Sequence, residues 1–229
     1  MNRNGAPRQG RASEDVVAQI LNSVHTQNLK PGEWLGTEAD LARRFSVSRV
    51  TIRDAVSALS ARGLLDVRVG AGGGLRVARH DPERLIDAFS IQLRLLGLSR
   101  EELFEAMLAI EPVTASLAAQ RATPDQLSLL RSLVDEACAA VDNPDLFTAL
   151  AVNFHQAVAE ASNNRALQAS LAAVRATQLA HLGAETTQPI AERVCRIHAS
   201  ILEAICAHHA DLARERMREH LSAVSHSPV

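Results

Sequence analysis

Apolar residues recur at helical spacing soon after the N-terminus: Val16, Val17, Ile20, Leu21 and Val24 form one stripe after Ser13, with Glu14 and Asp15 in the first turn. The stripe predicts a helix that stops near Lys30-Pro31-Gly32, where proline and glycine punctuate a loop. Thr37, with Asp40 three residues on, predicts a capped second helix whose inner face is Leu41, Ala42 and Phe45. Ser48 predicts the cap of a third, with Ile52, Ala55, Val56 and Leu59 inward and Gly63 at its end. The period then changes. Residues 64–69 and 75–78 read as two short strands around Gly70-Ala71-Gly72-Gly73-Gly74, a hairpin with a glycine-rich tip. Three helices closed by a hairpin form a winged helix-turn-helix, a DNA-binding arrangement, over residues 13–80. Residues 1–12, with three Arg and two Gly, read as a flexible arm.

From Asp81-Pro82 onward the periodicity is helical throughout, in segments near 82–96, 99–121, 124–141, 145–161, 165–182, 189–208 and 211–225. Thr123-Pro124-Asp125-Gln126 is a capping box with proline at the first helical position. Asp142-Asn143-Pro144 punctuates one boundary, and Asn163-Asn164 supplies a residue tolerant of left-handed geometry at another. Pro112 lies inside the second segment and should kink it or split it. Short connections imply antiparallel neighbours. The predicted fold is therefore mainly α: the N-terminal winged helix-turn-helix, of three helices plus a β-hairpin, followed over residues 81–229 by an all-α antiparallel helical bundle.

Composition fits that picture. Of 229 residues 47% are hydrophobic but only 3% aromatic, so Ala and Leu fill the interior. No run of about 18 uncharged apolar residues exists, and the start lacks the apolar stretch of a signal peptide. The expectation is a soluble, cytoplasmic protein with no membrane partner. Cys138, Cys195 and Cys206 are odd in number and show no C-x-x-C spacing, which predicts reduced, half-buried helix residues rather than a disulfide framework or thiolate zinc site. The net charge of −2 conceals a division. Residues 1–80 hold 12 Lys+Arg and 7 Asp+Glu, net +5, whereas residues 81–229 hold 12 and 19, net −7. A basic head is joined to an acidic body.

At residues 35–55, LGTEADLARRFSVSRVTIRDA, followed by Leu59 and Gly63-Leu64, the chain resembles the winged helix of the GntR family of bacterial transcription regulators. Its second part resembles the helical ligand-sensing (FCD) domain of the family's FadR-like branch. The residues that carry this are Ile110-Glu111-Pro112, LAAQRAT at 117–123, Asn153-Phe154-His155, ASNN at 161–164, HASILEAI at 198–205 and MREHL at 217–221. The resemblance covers residues 13–225 and implies a ligand-responsive, sequence-specific regulator. It would act as a homodimer on a pseudo-palindromic operator in double-stranded DNA, and be a repressor released by a small-molecule effector. The segment around His80-Asp81-Pro82 is the expected hinge between the two functions.

A recognition helix needs Arg and short polar residues in its N-terminal turn, because that end enters the major groove. Ser48, Arg49, Thr51 and Arg53 meet this need, and Arg49 and Arg53, four apart, project from one face. The resemblance assigns both arginines to DNA, with Ser48 and Thr51 as phosphate contacts or caps. Arg68 with Gly70, Gly72, Gly73 and Gly74 would form the wing, whose bare backbone can approach the minor groove. The family often carries Arg at the position of Ala39, so one DNA contact is missing here.

Nine His are present, and His155, His198 and His220 fall on three different predicted helices. Three converging imidazoles suit a divalent transition metal such as Zn or Ni, with open positions for water or a ligand oxygen. The resemblance implies such a site in a subset of relatives with Asp-x-x-x-His, but the Asp position here is Ala151. Asn153 cannot replace it, lying about 200° around the helix from His155. A second departure is Met107, where relatives carry an Arg that clamps a carboxylate; Arg175 is a candidate replacement cation. Met favours apolar contact, which predicts a more apolar, lipid-like effector. Two rivals are weaker. A metal-dependent enzyme built on His155, His198 and His220 would need a general base, and none stands at a telling spacing. A purely architectural DNA binder needs no 149-residue acidic body.

Overall fold

The computed structural model describes residues 6–70, 72–79, 81–178 and 186–225, in two compact units, Met1–Asp81 and Pro82–Val229. The first contains α1 (Ala6–Thr26), β1 (Trp34–Gly36), α2 (Glu38–Arg44), α3 (Arg49–Ala61), β2 (Leu65–Arg68) and β3 (Gly74–Val77). Helix α1 begins seven residues ahead of the start that Ser13 predicts, so residues 6–12 are helical rather than an arm. Pro7 sits in its first turn, where a missing N–H costs no helical hydrogen bond. Val16 and Ile20 are fully buried against Leu41, Ile52, Ala55, Val56 and Leu59, while Leu21 is left exposed.

Both short helices are capped as their sequence dictates. Thr37 and Asp40 form a reciprocal capping box on α2, and the Ser48 hydroxyl accepts from the Thr51 amide at the head of α3. The strands form a three-stranded antiparallel sheet in the order β1-β3-β2, so the expected hairpin gains a third strand. That strand, Trp34-Leu35-Gly36, is too short and irregular to carry a legible alternation. Gly74 is what lets it approach: at φ +129°, a Cβ there would lie 2.7 Å from the Trp34 indole nitrogen.

The second unit is all helix: α4 (Pro82–Leu95), α5 (Arg100–Arg121), α6 (Pro124–Ala139), α7 (Pro144–Ala161), α8 (Arg165–Gln178), α9 (Gln188–Cys206) and α10 (Ala210–Ser225). The predicted punctuation operates. Thr123 and Gln126 make the capping box, Asn143 caps α7 ahead of Pro144, and Asn163 takes φ +52° between α7 and α8. Pro112 does not split its helix: α5 runs unbroken through it, held on both sides by buried Phe104, Met107, Ala115 and Ala118. Helix α5 packs against α7, α8, α9 and α10, which explains why it is buried around most of its circumference in its second half, polar residues included. The three cysteines are free, with Cys138 exposed, Cys195 buried and Cys206 between. Among the described residues no helix is long and apolar enough to cross a membrane. His80, in the expected hinge, and the end of the expected 165–182 segment lie outside the described residues.

Candidate nucleic-acid interface and metal centre

Helix α3 separates its two faces cleanly. Ile52, Ala55, Val56 and Leu59 anchor it in the core, leaving Arg49 and Arg53 exposed one turn apart. Arg53 is aimed by Glu38 of α2, whose carboxylate lies 3.5 Å from its guanidinium. Thr51 sits at the cap, one of the two roles expected of it. Only 7% of it is exposed, its hydroxyl pairs with that of Ser48 at 2.8 Å, and so it braces the start of the helix rather than facing outward. Val50 is the outward residue that sequence reasoning passed over; it is exposed between Ser48 and Arg49 on one side and Thr51 on the other. An exposed apolar group there suits a thymine methyl, and its only sequence signal is a break in the polar face.

In the hairpin, Arg68 and Gly70 are exposed and Gly72 has open space around it at φ +78°. Gly73 is different: a Cβ there would meet the Arg68 carbonyl oxygen at 2.4 Å, so this glycine closes the hairpin on itself. Gly74 likewise serves the packing of Trp34, whose indole nitrogen donates to the Gly73 carbonyl at 3.4 Å.

The three histidines converge. His155 of α7, His198 of α9 and His220 of α10 are buried together, with His198 Nε2 3.2 Å from His220 Nε2 and the latter 3.3 Å from His155 Nε2. Nitrogens that bind one tetrahedral zinc at 2.0–2.1 Å stand about 3.3 Å apart, so both spacings fit a shared ion. Burial holds His155 and His198 well below the ordinary imidazole range and brings His220 down to about 4, which keeps all three neutral at pH 7 and their lone pairs available. Phe154 stacks on His198, with centroids 4.4 Å apart.

Two further residues complete the cluster. Glu111 of α5 is fully buried; its Oε2 lies 2.5 Å from His155 Nδ1, and its Oε1 accepts from Arg175 Nη2 of α8 at 2.6 Å. Burial pushes the Glu111 carboxyl up while Arg175 draws it back. Its two oxygens thus face a guanidinium N–H on one side and a ring nitrogen of His155 on the other. Arg175 is therefore buried and paired, not a free cation awaiting an acid. Its Nε and the Nδ1 of His220 are buried without a hydrogen-bond partner. Glu111 carried no site role in the sequence reading, since its partners lie 44 and 64 residues away.

Met107 is buried in the core one turn before Glu111 on α5. Ala151, one turn before His155, packs on a small apolar cluster of Ala137, Phe147, Ala191 and Cys195 and offers no ligand atom. The arrangement can hold a borderline divalent cation on three neutral nitrogens with open positions. It is poorly built to activate water, because both Glu111 oxygens are engaged. An open pocket of about 360 Å³ lies where α6 meets α7, and none of the five cluster residues lines it.

Comparison with known proteins gives concordant results. The family model for the FCD domain matches residues 102–223, and that for bacterial regulatory proteins of the gntR family matches residues 12–74. The chain is 32% identical to the "Putative L-lactate dehydrogenase operon regulatory protein" of Escherichia coli (strain K12), over 93% of this chain and 85% of that protein. It is 28% identical to the HTH-type transcriptional repressor NanR of E. coli (strain K12), over 94% of this chain and 83% of that one. Among solved structures, Streptococcus agalactiae GntR superposes with a TM-score of 0.60 at 28% identity, covering 94% of this chain and all of that chain.

Proposed function

The chain belongs to the GntR family of bacterial regulatory proteins, carries an FCD domain, and is a ligand-responsive DNA-binding transcription regulator rather than an enzyme; from that premise we propose that it is a repressor. A homodimer would hold its operator through two copies of α3 and release it when an effector binds the helical unit. The observation that carries this reading is the outward pair Arg49 and Arg53 on a helix whose opposite face is wholly buried. Arg49 and Arg53 suit bidentate contact with guanine, Val50 a thymine methyl, and Arg68 and Gly72 the adjoining minor groove. A relative named as a repressor supports the direction of control. Leu85, Phe89, Ile91 and Leu95 of α4 leave exposed apolar surface that a second copy would cover, and two-fold symmetry matches a pseudo-palindromic site. Cytoplasmic operation follows from the DNA partner.

Arg49→Ala should cost about 1–3 kcal/mol of operator affinity, roughly 5- to 150-fold, and relax specificity at one base. A gel shift at fixed salt measures this, and wild-type affinity in the variant would refute the assignment of α3.

In the helical unit, His155, His198 and His220 would hold Zn²⁺ or Ni²⁺, whose open positions would take an oxygen of the effector. Arg175 is engaged by Glu111 and Met107 is apolar, which supports an effector whose remaining surface is apolar rather than a second carboxylate. Effector binding then lowers DNA affinity by the ratio of its affinities for the two states. Calorimetric titration of chelator-treated protein with zinc should show binding at micromolar metal. Absence of heat under those conditions would sink the metal reading.

A further inference from the structure

We infer that Glu111 is the positioning residue of the histidine centre: by accepting a hydrogen bond from His155 Nδ1–H it fixes the tautomer and ring angle that point His155 Nε2 at the other two imidazoles. The inference rests on reading the three histidines as a metal site, and it concerns a residue that binds no metal itself.

The geometry supplies the argument. An imidazole has two nitrogens, and which of them is free to ligate is set by the hydrogen bond the other makes. Glu111 Oε2 stands 2.5 Å from His155 Nδ1, and His155 Nε2 is the atom 3.3 Å from His220 Nε2. The proton is thereby held on the side away from the centre. His220 shows the contrast: its Nδ1 has no hydrogen-bond partner, so its ring is met only on the Nε2 side, by the other two imidazoles. Arg175 holds the carboxyl group still, binding its second oxygen at 2.6 Å from a helix on which it is itself buried. Four helices thus place one lone pair: α5 carries the acceptor, α8 the counter-charge, and α7 and α10 the two facing rings. Glu111 is also the one buried acidic side chain among the described residues. Outer carboxylates of this kind typically change metal affinity by about 10- to 100-fold.

The test is zinc affinity of the full-length, chelator-treated protein, read by competition with a chromophoric chelator. It compares wild type with Glu111→Leu/Arg175→Met, a pair that removes both charges at once. Binding should weaken by about 10- to 100-fold in the double variant, and the visible spectrum of the Co²⁺-loaded protein should change as His155 loses its fixed angle, a readout indifferent to fold stability. If the double variant fails to fold, Glu111→Met/Arg175→Met, which likewise removes the acceptor and both charges, carries the same expectation of weaker binding. Wild type that binds zinc alongside a folded variant that binds within twofold, with an unchanged Co²⁺ spectrum, overturns the role of Glu111. Wild type that does not bind zinc overturns the metal reading instead, so the two failures are told apart in separate titrations.

Discussion

Arg175→Met should lower the unfolding free energy of the helical unit by about 3–5 kcal/mol, the usual cost of leaving one member of a buried ion pair without its partner. The substituted side chain keeps an apolar stem of similar bulk but lacks the guanidinium, so most of the loss is electrostatic: Glu111 would remain fully buried with only His155 beside it. Adding Glu111→Gln should recover most of the loss, since a buried pair replaced on both sides is often close to neutral. Urea denaturation of the full chain, followed by far-UV circular dichroism, measures both values. A midpoint unchanged in Arg175→Met would mean that the guanidinium does not compensate Glu111.

The second large effect is expected from Phe154→Ala, at about 3–5 kcal/mol. Phe154 is the largest of the fully buried side chains, it belongs to the main apolar core of the second unit, and its ring lies on His198. Truncation removes transfer energy and leaves a cavity in a region braced by several helices, where collapse is difficult. Phe154→Leu should cost much less, below about 1.5–2 kcal/mol, because it retains most of the volume. The same urea titration separates them, and equal losses in the two variants would show that ring stacking, not volume, is what Phe154 contributes.

Much of the fold was legible because its signals are local. The Thr37/Asp40 and Thr123/Gln126 boxes, the Asn143-Pro144 start and the left-handed Asn163 are set within four residues of chain, and each appears where those residues imply it. What escaped was set by distant partners. Strand β1 exists because Gly74, 40 positions beyond Trp34, leaves room beside it. Pro112 fails to break α5 because packing on its flanks outweighs one lost hydrogen bond. The site divides in the same way. Arg49 and Arg53 could be read from helical spacing and resemblance, but the burial of Thr51 and the exposure of Val50 depend on how α3 is rotated in its core. The histidines could be nominated one by one. Their convergence, and the tie from Glu111 to Arg175 across 64 residues, are tertiary facts.

Trp34 is the chain's single tryptophan, and no tyrosine competes with it for near-ultraviolet absorption. It sits half-exposed on β1 with its indole nitrogen on the Gly73 carbonyl of the hairpin. The protein thus carries an intrinsic fluorophore at the tip that would meet the minor groove and none in its helical body, so emission excited selectively at this one indole follows the DNA-facing end in real time without an added label.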